Sequence, residues 1–317
     1  MVATAAPVTS PTSDTPRAAS KPRVGSGWRG KQMRGWAFVG PAAVIVVGLF
    51  LVPLALLVYM STQNWPLISN KHTYVGAKNY QQILHDPALI NALKFTLYDT
   101  LITTVLIFAV SFVLVAVSNT KRRGARFYRT AFFLPYVVGT AAAALMWYIN
   151  IDDQEGILNH ALLSLHLISK PLSLLGTGGK ATFATISLVV WKFIGFQVIV
   201  LLVGLQGIPG ELYEAAKMDG ASAWHRLRFI TVPLLKPTLA LLFMLSITGS
   251  LLAFDQFYVL TTGGPDNSTI TLVFQLYTTA FVRFKLGAAA AMSIVLLVTL
   301  LLLNGVQLRL LRNKDAS

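Results

Sequence analysis

Three ionisable side chains, Asp99, Lys192 and Asp255, stand inside otherwise apolar stretches of the chain. Such a group costs ~2.5–3.5 kcal/mol at the centre of a bilayer, so it lines a cavity or pairs with another. Two readings stay open. In one, Lys192 forms a buried ion pair with either aspartate and holds helices together. In the other, the carboxylates face a passage, with Gln256 and Tyr258 beside Asp255 and with Trp191 and Gln197 flanking Lys192. Carboxylates and amides exchange hydrogen bonds with hydroxyl groups, and aromatic rings pack on apolar faces. Asp255 and Tyr258 are three apart and share a face if the segment is helical. Other chemistries lack their residues. There is no His-Glu-x-x-His and no Gly-x-Ser-x-Gly pattern. Gly176-Thr177-Gly178-Gly179-Lys180 is glycine-rich, but Leu174 and Ala181 stand where a phosphate loop needs Gly and Ser or Thr, so no ATP site is expected in this chain. His160 and His166 are six apart and share no helical face, and Asp152, Asp153 and Glu155 read as a solvated loop, so no metal site is expected. With no cysteine, disulfides and thiolate chemistry are excluded.

These residues must be positioned by membrane helices. Of 317 residues, 55% are hydrophobic and 12% charged, a balance that places most of the chain in lipid. The expected fold is all-α, with six apolar spans over residues 36–59, 96–118, 131–149, 183–205, 238–260 and 287–308. Residues 1–35 are rich in Ala, Pro, Ser and Thr, lack the apolar core of a cleavable signal, and read as a disordered cytoplasmic tail. Residues 36–94 then hold the first span and an external segment, 95–308 the core, and 309–317 a second tail. The formal charge of +14 resolves by topology. Arg17, Lys21, Arg23, Arg29, Lys31 and Arg34, then Lys121, Arg122, Arg123, Arg126 and Arg129, then Lys217, Arg226, Arg228 and Lys236, then Arg309, Arg312 and Lys314 fall on one side; Lys71, Lys78, Lys94, Lys170, Lys180, Arg283 and Lys285 fall on the other. The positive-inside rule puts both termini in the cytoplasm. Topology and anionic headgroups account for the basic charge, and no nucleic acid partner is expected. Thr100, Thr103, Thr104, Ser246, Thr248 and Ser250 read as small hydroxyl residues at helix contacts, and Gly287 to Ala291 as a close-packed helix start.

One inner loop, 206–237, differs from the rest because it carries both signs of charge. Glu211 to Met218 is rich in helix formers with acids in its first turn, Gly220 suits a left-handed helix stop, and Ser222 to Ile230 reads as a second short helix restarting at Pro233. Glu214-Ala215-Ala216, three residues, Gly220, nine residues, Ile230, one residue and Val232-Pro233 make a spaced pattern. It resembles the EAA loop of binding-protein-dependent ABC importer permeases, with Val232 where that family usually has Leu. Val75-Gly76-Ala77-Lys78-Asn79-Tyr80, His85-Asp86-Pro87, Gly204-Leu205-Gln206-Gly207-Ile208-Pro209 and Phe257 through Gly263-Gly264-Pro265 resemble the sugar-importer branch, of maltose and glycerol-3-phosphate type, and its first permease kind.

The resemblance implies a type I importer transmembrane domain in a bacterial inner membrane. It implies a coupling role toward a separate ATPase for Glu214, Ala215, Ala216, Asp219 and Gly220, and a substrate pathway among Asp255, Gln256, Tyr258, Trp191, Gln197 and Asp99. Implied partners are a second permease, two ATPase subunits that bind ATP and Mg²⁺, and an external binding protein delivering a sugar or sugar derivative. The alternatives are a permease for a non-sugar solute, an ion-coupled carrier in which Asp99 and Asp255 move protons, or a membrane enzyme, for which no catalytic constellation is present.

Overall fold

The computed structural model describes residues 39–68, 71–118 and 125–312. The N-terminal tail 1–35, the basic residues Lys121, Arg122 and Arg123, and the last residues from 313 on lie outside these. The chain divides into two compact units, residues 1–54 and 55–317, described separately. The first unit contributes most of α1 (Val39–Ser61), an apolar helix with lipid-suited exposed side chains and a widened turn at Val47–Leu51.

In the second unit the chain leaves α1 through a short antiparallel ribbon, β1 (Gln63–Asn64) and β2 (Thr73–Tyr74), into α2 (Lys78–Leu84) and the long α3 (Pro87–Ser118). Asp86 caps α3 by accepting from the Ala88 N–H at 2.9 Å, with Pro87 at the first position where its missing N–H costs nothing. Asp86 also pairs with Arg283 at 3.5 Å. The Asn79-Tyr80 pair explains itself structurally. Buried Asn79 Nδ2 donates to the carbonyls of Ser61 and Gln63, each at 2.8 Å, and the Tyr80 hydroxyl meets Ser61 Oγ at 2.7 Å.

Two bent helix pairs follow the same pattern. In the first, α4 (Ala125–Val137) and α5 (Thr140–Ile151) meet at 101°. After a connecting segment with α6 (Ile157–Ser164) comes α7 (Gly178–Gln206), the most buried of the four long apolar helices described. Next are α8 (Gly210–Met218) and the second bent pair, α9 (Ala223–Leu234) and α10 (Lys236–Leu251), at 67°. Then come α11 (Asp255–Leu260), α12 (Leu272–Val282) and α13 (Leu286–Arg312). Among the described residues, four helices are long and apolar enough to cross a bilayer, or up to six if each bent pair is one span.

Three expectations change. The span at 131–149 is not straight, because Gly139 leaves the helical region (φ −55°, ψ 143°) and α5 restarts on its carbonyl. The span at 238–260 ends at Leu251. Phe254 adopts φ −140°, and the Ala253 carbonyl freed there accepts from Thr271 Oγ1 at 2.7 Å, so the break leaves no orphan at that position. The helix after Ser222 also runs through Pro233 rather than restarting there. The turn before the proline widens, with the Val232 N–H reaching the Leu227 carbonyl.

The core is built where α7 meets α3, α4 and α10. Phe108, Val115, Val198, Leu201 and Leu242 form one apolar cluster, and Ala143, Ala144, Leu188 and Leu260 a second. The alanine-rich start of α13 packs on α2 through Ile83, Ala291 and Met292.

Candidate translocation cavity and two-helix elbow

Asp99 on α3 and Gln197 on α7 are each only 2% exposed, and both line one cavity of about 430 Å³ enclosed by α3, α4, α5, α7, α10 and α11. Among the described residues, Asp99 Oδ1 and Gln197 Nε2 have no hydrogen-bond partner. An unpartnered buried polar atom costs ~1–3 kcal/mol unless something else satisfies it. Two such atoms on residues of one cavity wall leave hydrogen-bonding capacity unspent there. Asp255 and Gln256 line the same cavity, as do Ser246 and Ser250 from α10 and the aromatic rings of Tyr136, Phe193, Phe196 and Phe254.

Of the six residues expected along a passage, Asp99, Gln197, Asp255 and Gln256 line this cavity, and Trp191 and Tyr258 do not. Trp191 lies six residues before Gln197, about 120° around an α-helix, and packs near Trp147 with ring centroids 5.2 Å apart. Tyr258 joins an aromatic cluster, stacked on Phe254 at 5.2 Å and edge-on to Tyr277 and Phe274 at 5.4 and 5.6 Å. The missed lining residues had a readable signal on α7, since Val189, Phe193, Phe196 and Gln197 recur at helical spacing.

Lys192 pairs with neither aspartate. Its Nζ donates to the carbonyl of Val138 and, at 3.4 Å, to that of Tyr136, at the end of α4. The hydroxyl residues divide their work. Thr103 Oγ1 donates to the Asp99 carbonyl at 2.6 Å and meets Ser250 Oγ at 3.4 Å, joining α3 to α10. Thr248 reaches Asn304 on α13 at 3.4 Å. In the segment between α5 and α6, the backbone N–H groups of Glu155 and Gln154 donate to Asp152 Oδ1 at 2.8 and 2.9 Å and hold its carboxyl below the usual carboxylate range. That oxygen is thereby committed to a turn. Among the described residues no group of three or more His, Cys, Asp or Glu could hold a metal ion.

The loop after α11 is closed by its own hydroxyls. Thr261 and Thr269 meet at 2.7 Å, Thr269 donates to the Gly264 carbonyl at 3.0 Å, and Gly263 takes φ +82° ahead of a cis Gly264-Pro265 bond.

At the other end, α8 and α9 form an elbow. The Gly220 N–H donates to the Lys217 carbonyl at 3.0 Å and the Ala221 N–H to that of Ala216 at 2.9 Å, with Gly220 at φ +71°. This is the helix stop in which a left-handed residue lets two amides close on the last carbonyls. Ser222 caps α9 by accepting from the His225 N–H at 3.3 Å, and Tyr213 and Thr231 hydroxyls tie the two helices at 2.9 Å. Glu214, Ala215, Asp219 and Gly220 are exposed and Ala216 is half-buried. Beside them Leu212, Met218, Trp224 and Phe229 stand out of the surface.

A helical membrane unit with a largely apolar cavity that carries a few carboxylate, amide and hydroxyl groups, and with an exposed two-helix elbow, suits a permease subunit. The chain belongs to the family of binding-protein-dependent transport system inner membrane components, whose pattern matches residues 34–314. It is 30% identical over 282 residues, 88% of this chain and 94% of the relative, to the sn-glycerol-3-phosphate transport system permease protein UgpA of Agrobacterium fabrum. It is also 30% identical over 280 residues, 87% of this chain and 94% of the relative, to the multiple sugar-binding transport system permease protein MsmF of Streptococcus mutans. Its fold matches a crystal structure of a bacterial ABC transporter involved in the import of the acidic polysaccharide alginate, with a TM-score of 0.75 at 21% identity, covering 88% of this chain and 96% of that one.

Proposed function

We propose that this chain forms half of the translocation pathway of an ATP-driven importer for a sugar or sugar derivative, crossing the inner membrane six times with both termini in the cytoplasm. Each bent pair counts as one crossing in this reading, which the distribution of Lys and Arg supports. A second permease completes the passage, an external binding protein delivers the solute, and two ATPase subunits bind ATP and Mg²⁺ and dock on the α8–α9 elbow.

The observation that carries the reading is the elbow itself. It is an exposed pair of short helices fixed at a set angle by Gly220 and by the Tyr213–Thr231 hydrogen bond, with apolar Leu212, Met218 and Trp224 presented outward. Such exposed apolar side chains rimmed by charge suit a protein partner. Glu214 and Asp219 supply charge for orientation, and Ala215 and Ala216 allow close approach. The cavity supports a hydroxyl-rich cargo because its polar groups are carboxylate, amide and hydroxyl, set between aromatic rings. The names of the relatives agree with that class.

The chain has no cysteine, so a single cysteine can be introduced cleanly. In the assembled transporter Ala215→Cys should crosslink to the ATPase subunit, with a yield that changes when ATP is bound. Absence of any crosslink from both Ala215→Cys and Asp219→Cys would overturn the coupling role.

A further inference from the structure

A groove of about 570 Å³ runs along the seam between α3 and α7, on residues that do not line the cavity above. One wall is a ridge of α3 in steps of four, Tyr98, Ile102, Leu106 and Val110. The other is a ridge of α7 with the same step, Gly179, Phe183, Ser187 and Trp191. Phe108 and Val115 near the end of α3 share a cluster with Val198 and Leu201 near the end of α7, so the two helices run parallel and begin at the same end. From Tyr98 to Val110 the groove is about 18 Å long by helical rise. That is roughly the depth of one leaflet in a hydrocarbon core ~30 Å thick.

The interior of the groove suits hydrocarbon. Thr182 Oγ1 donates to the Gly178 carbonyl and Ser187 Oγ to the Phe183 carbonyl, each at 2.8 Å, so both hydroxyls are spent on their own helix. Ile186 is buried at its base, while Tyr98 and Phe183 stand 53% and 63% exposed, one on each wall. Rings raised on both walls hold a helix, about 10–12 Å across, off the base, whereas a flexible chain can thread past them. The beginning of the groove suits an anion. Lys94 continues the α3 ridge one turn before Tyr98, Lys180 follows Gly179 on α7, and both are exposed. Among the described residues neither is paired with a carboxylate.

We propose that this groove is a binding site for an anionic phospholipid, with one acyl chain between the two ridges and the headgroup phosphate between Lys94 and Lys180. Tyr98 at the mouth is the kind of amphipathic ring that sits where hydrocarbon meets headgroup. A lysine near a bilayer surface favours an anionic headgroup by about fivefold, and two lysines by at least about tenfold, over a zwitterionic one. The site needs only that α3 and α7 cross the bilayer, and it does not depend on the nature of the cargo.

The test uses the full transporter in phosphatidylcholine nanodiscs containing a small fraction of photoactivatable phosphatidylglycerol, whose acyl chain carries a diazirine. After illumination, peptides covering residues 98–110 and 182–191 should be labelled at least about tenfold more than by photoactivatable phosphatidylcholine at the same fraction. Exposed Leu301 and Leu302 on α13 should be labelled alike by the two lipids. Lys94→Gln combined with Lys180→Gln should bring the phosphatidylglycerol signal in the groove down toward the phosphatidylcholine level and leave α13 unchanged. Equal labelling of the groove by both lipids, or a phosphatidylglycerol signal that the double variant does not lower, would overturn the headgroup site. Labelling of α13 with none in the groove would overturn lipid occupancy and show that protein covers this seam. The comparison of the two lipids on the parent chain decides the matter even if the double variant does not assemble.

Discussion

Lys192 Nζ donates to the carbonyl of Val138 across the gap between two helices, and so caps the end of α4 where the chain turns by 101° into α5. The last carbonyls of a helix lack intrahelical donors, and inside a bilayer no bulk water supplies them. A lysine there meets the negative end of the helix dipole as well as the orphaned oxygens. Gly195, one turn further along α7, makes the approach possible. A Cβ at that position would lie 1.8 Å from the Phe132 carbonyl oxygen, so the two backbones are in direct contact. The charged residue that sequence alone could assign to an ion pair is therefore the clamp on a broken span that forms the cavity wall through Tyr136 and Thr140.

Replacing that clamp should be costly in a specific way. Lys192→Met keeps the apolar stem and removes the donor, leaving the Val138 and Tyr136 carbonyls unsatisfied at about 1–3 kcal/mol. The purified assembly should melt several degrees lower than the parent, while insertion and subunit stoichiometry are retained. An unchanged melting temperature would mean that the α4 end is satisfied without Lys192.

Gly195→Ala should do more damage than its single methyl suggests. The added atom would meet backbone, which cannot rotate away, so α7 and α4 must separate and lose the packing of Tyr136 on Phe196 and Phe193. Gly305→Ala on α13 is the control, because nothing lies within 4 Å of its added Cβ. The yield of assembled transporter on size exclusion should collapse for Gly195→Ala and hold for Gly305→Ala. Equal yields would show that the helices slide apart freely.

The long spans were legible because sustained hydropathy is enough to find α3, α7 and α13. The two breaks were not. Leu252, Ala253 and Phe254 are apolar, as is Val138 with Gly139 beside it, and a hydropathy window carries no information on chain direction. What permits the breaks is distant in sequence: Thr271 for the Ala253 carbonyl and Lys192 for the Val138 carbonyl. For the same reason the cavity was half legible. The expense of an ionisable group in lipid pointed to Asp99 and Asp255, whereas the rings that engage Tyr258, Phe274 and Tyr277, are distant in sequence. The elbow was read nearly whole, since glycine spacing and capping are local.

Gly220 separates backbone conformation from crowding. No atom lies within 4 Å of a Cβ built there, yet φ is +71°, so a side chain costs about 1–2 kcal/mol through the left-handed backbone alone. Gly220→Val should therefore change the angle of the elbow and uncouple ATP hydrolysis from uptake. Gly220→Asn should keep most coupling, because asparagine visits that conformation readily. Solute imported per ATP hydrolysed in proteoliposomes is the measurement. Equal ratios for the two variants would remove the conformational argument.

Asn79 offers a test of donor chemistry at the outer side. Its amide donates to two carbonyls, Ser61 and Gln63, and Gly287 lies so close to Gln63 that a Cβ would sit 2.0 Å from the Gln63 oxygen. Asn79→Ala removes both hydrogen bonds and leaves a small void. Asn79→Asp keeps the shape but turns an acceptor toward two acceptors in a buried site, which adds repulsion to the loss. Limited proteolysis of the segment between α1 and α3 should thus be faster for the aspartate variant than for the alanine variant, and slowest for the parent. The order distinguishes a hydrogen-bonded pin from simple filling of space, because packing alone would rank the near-isosteric aspartate above alanine.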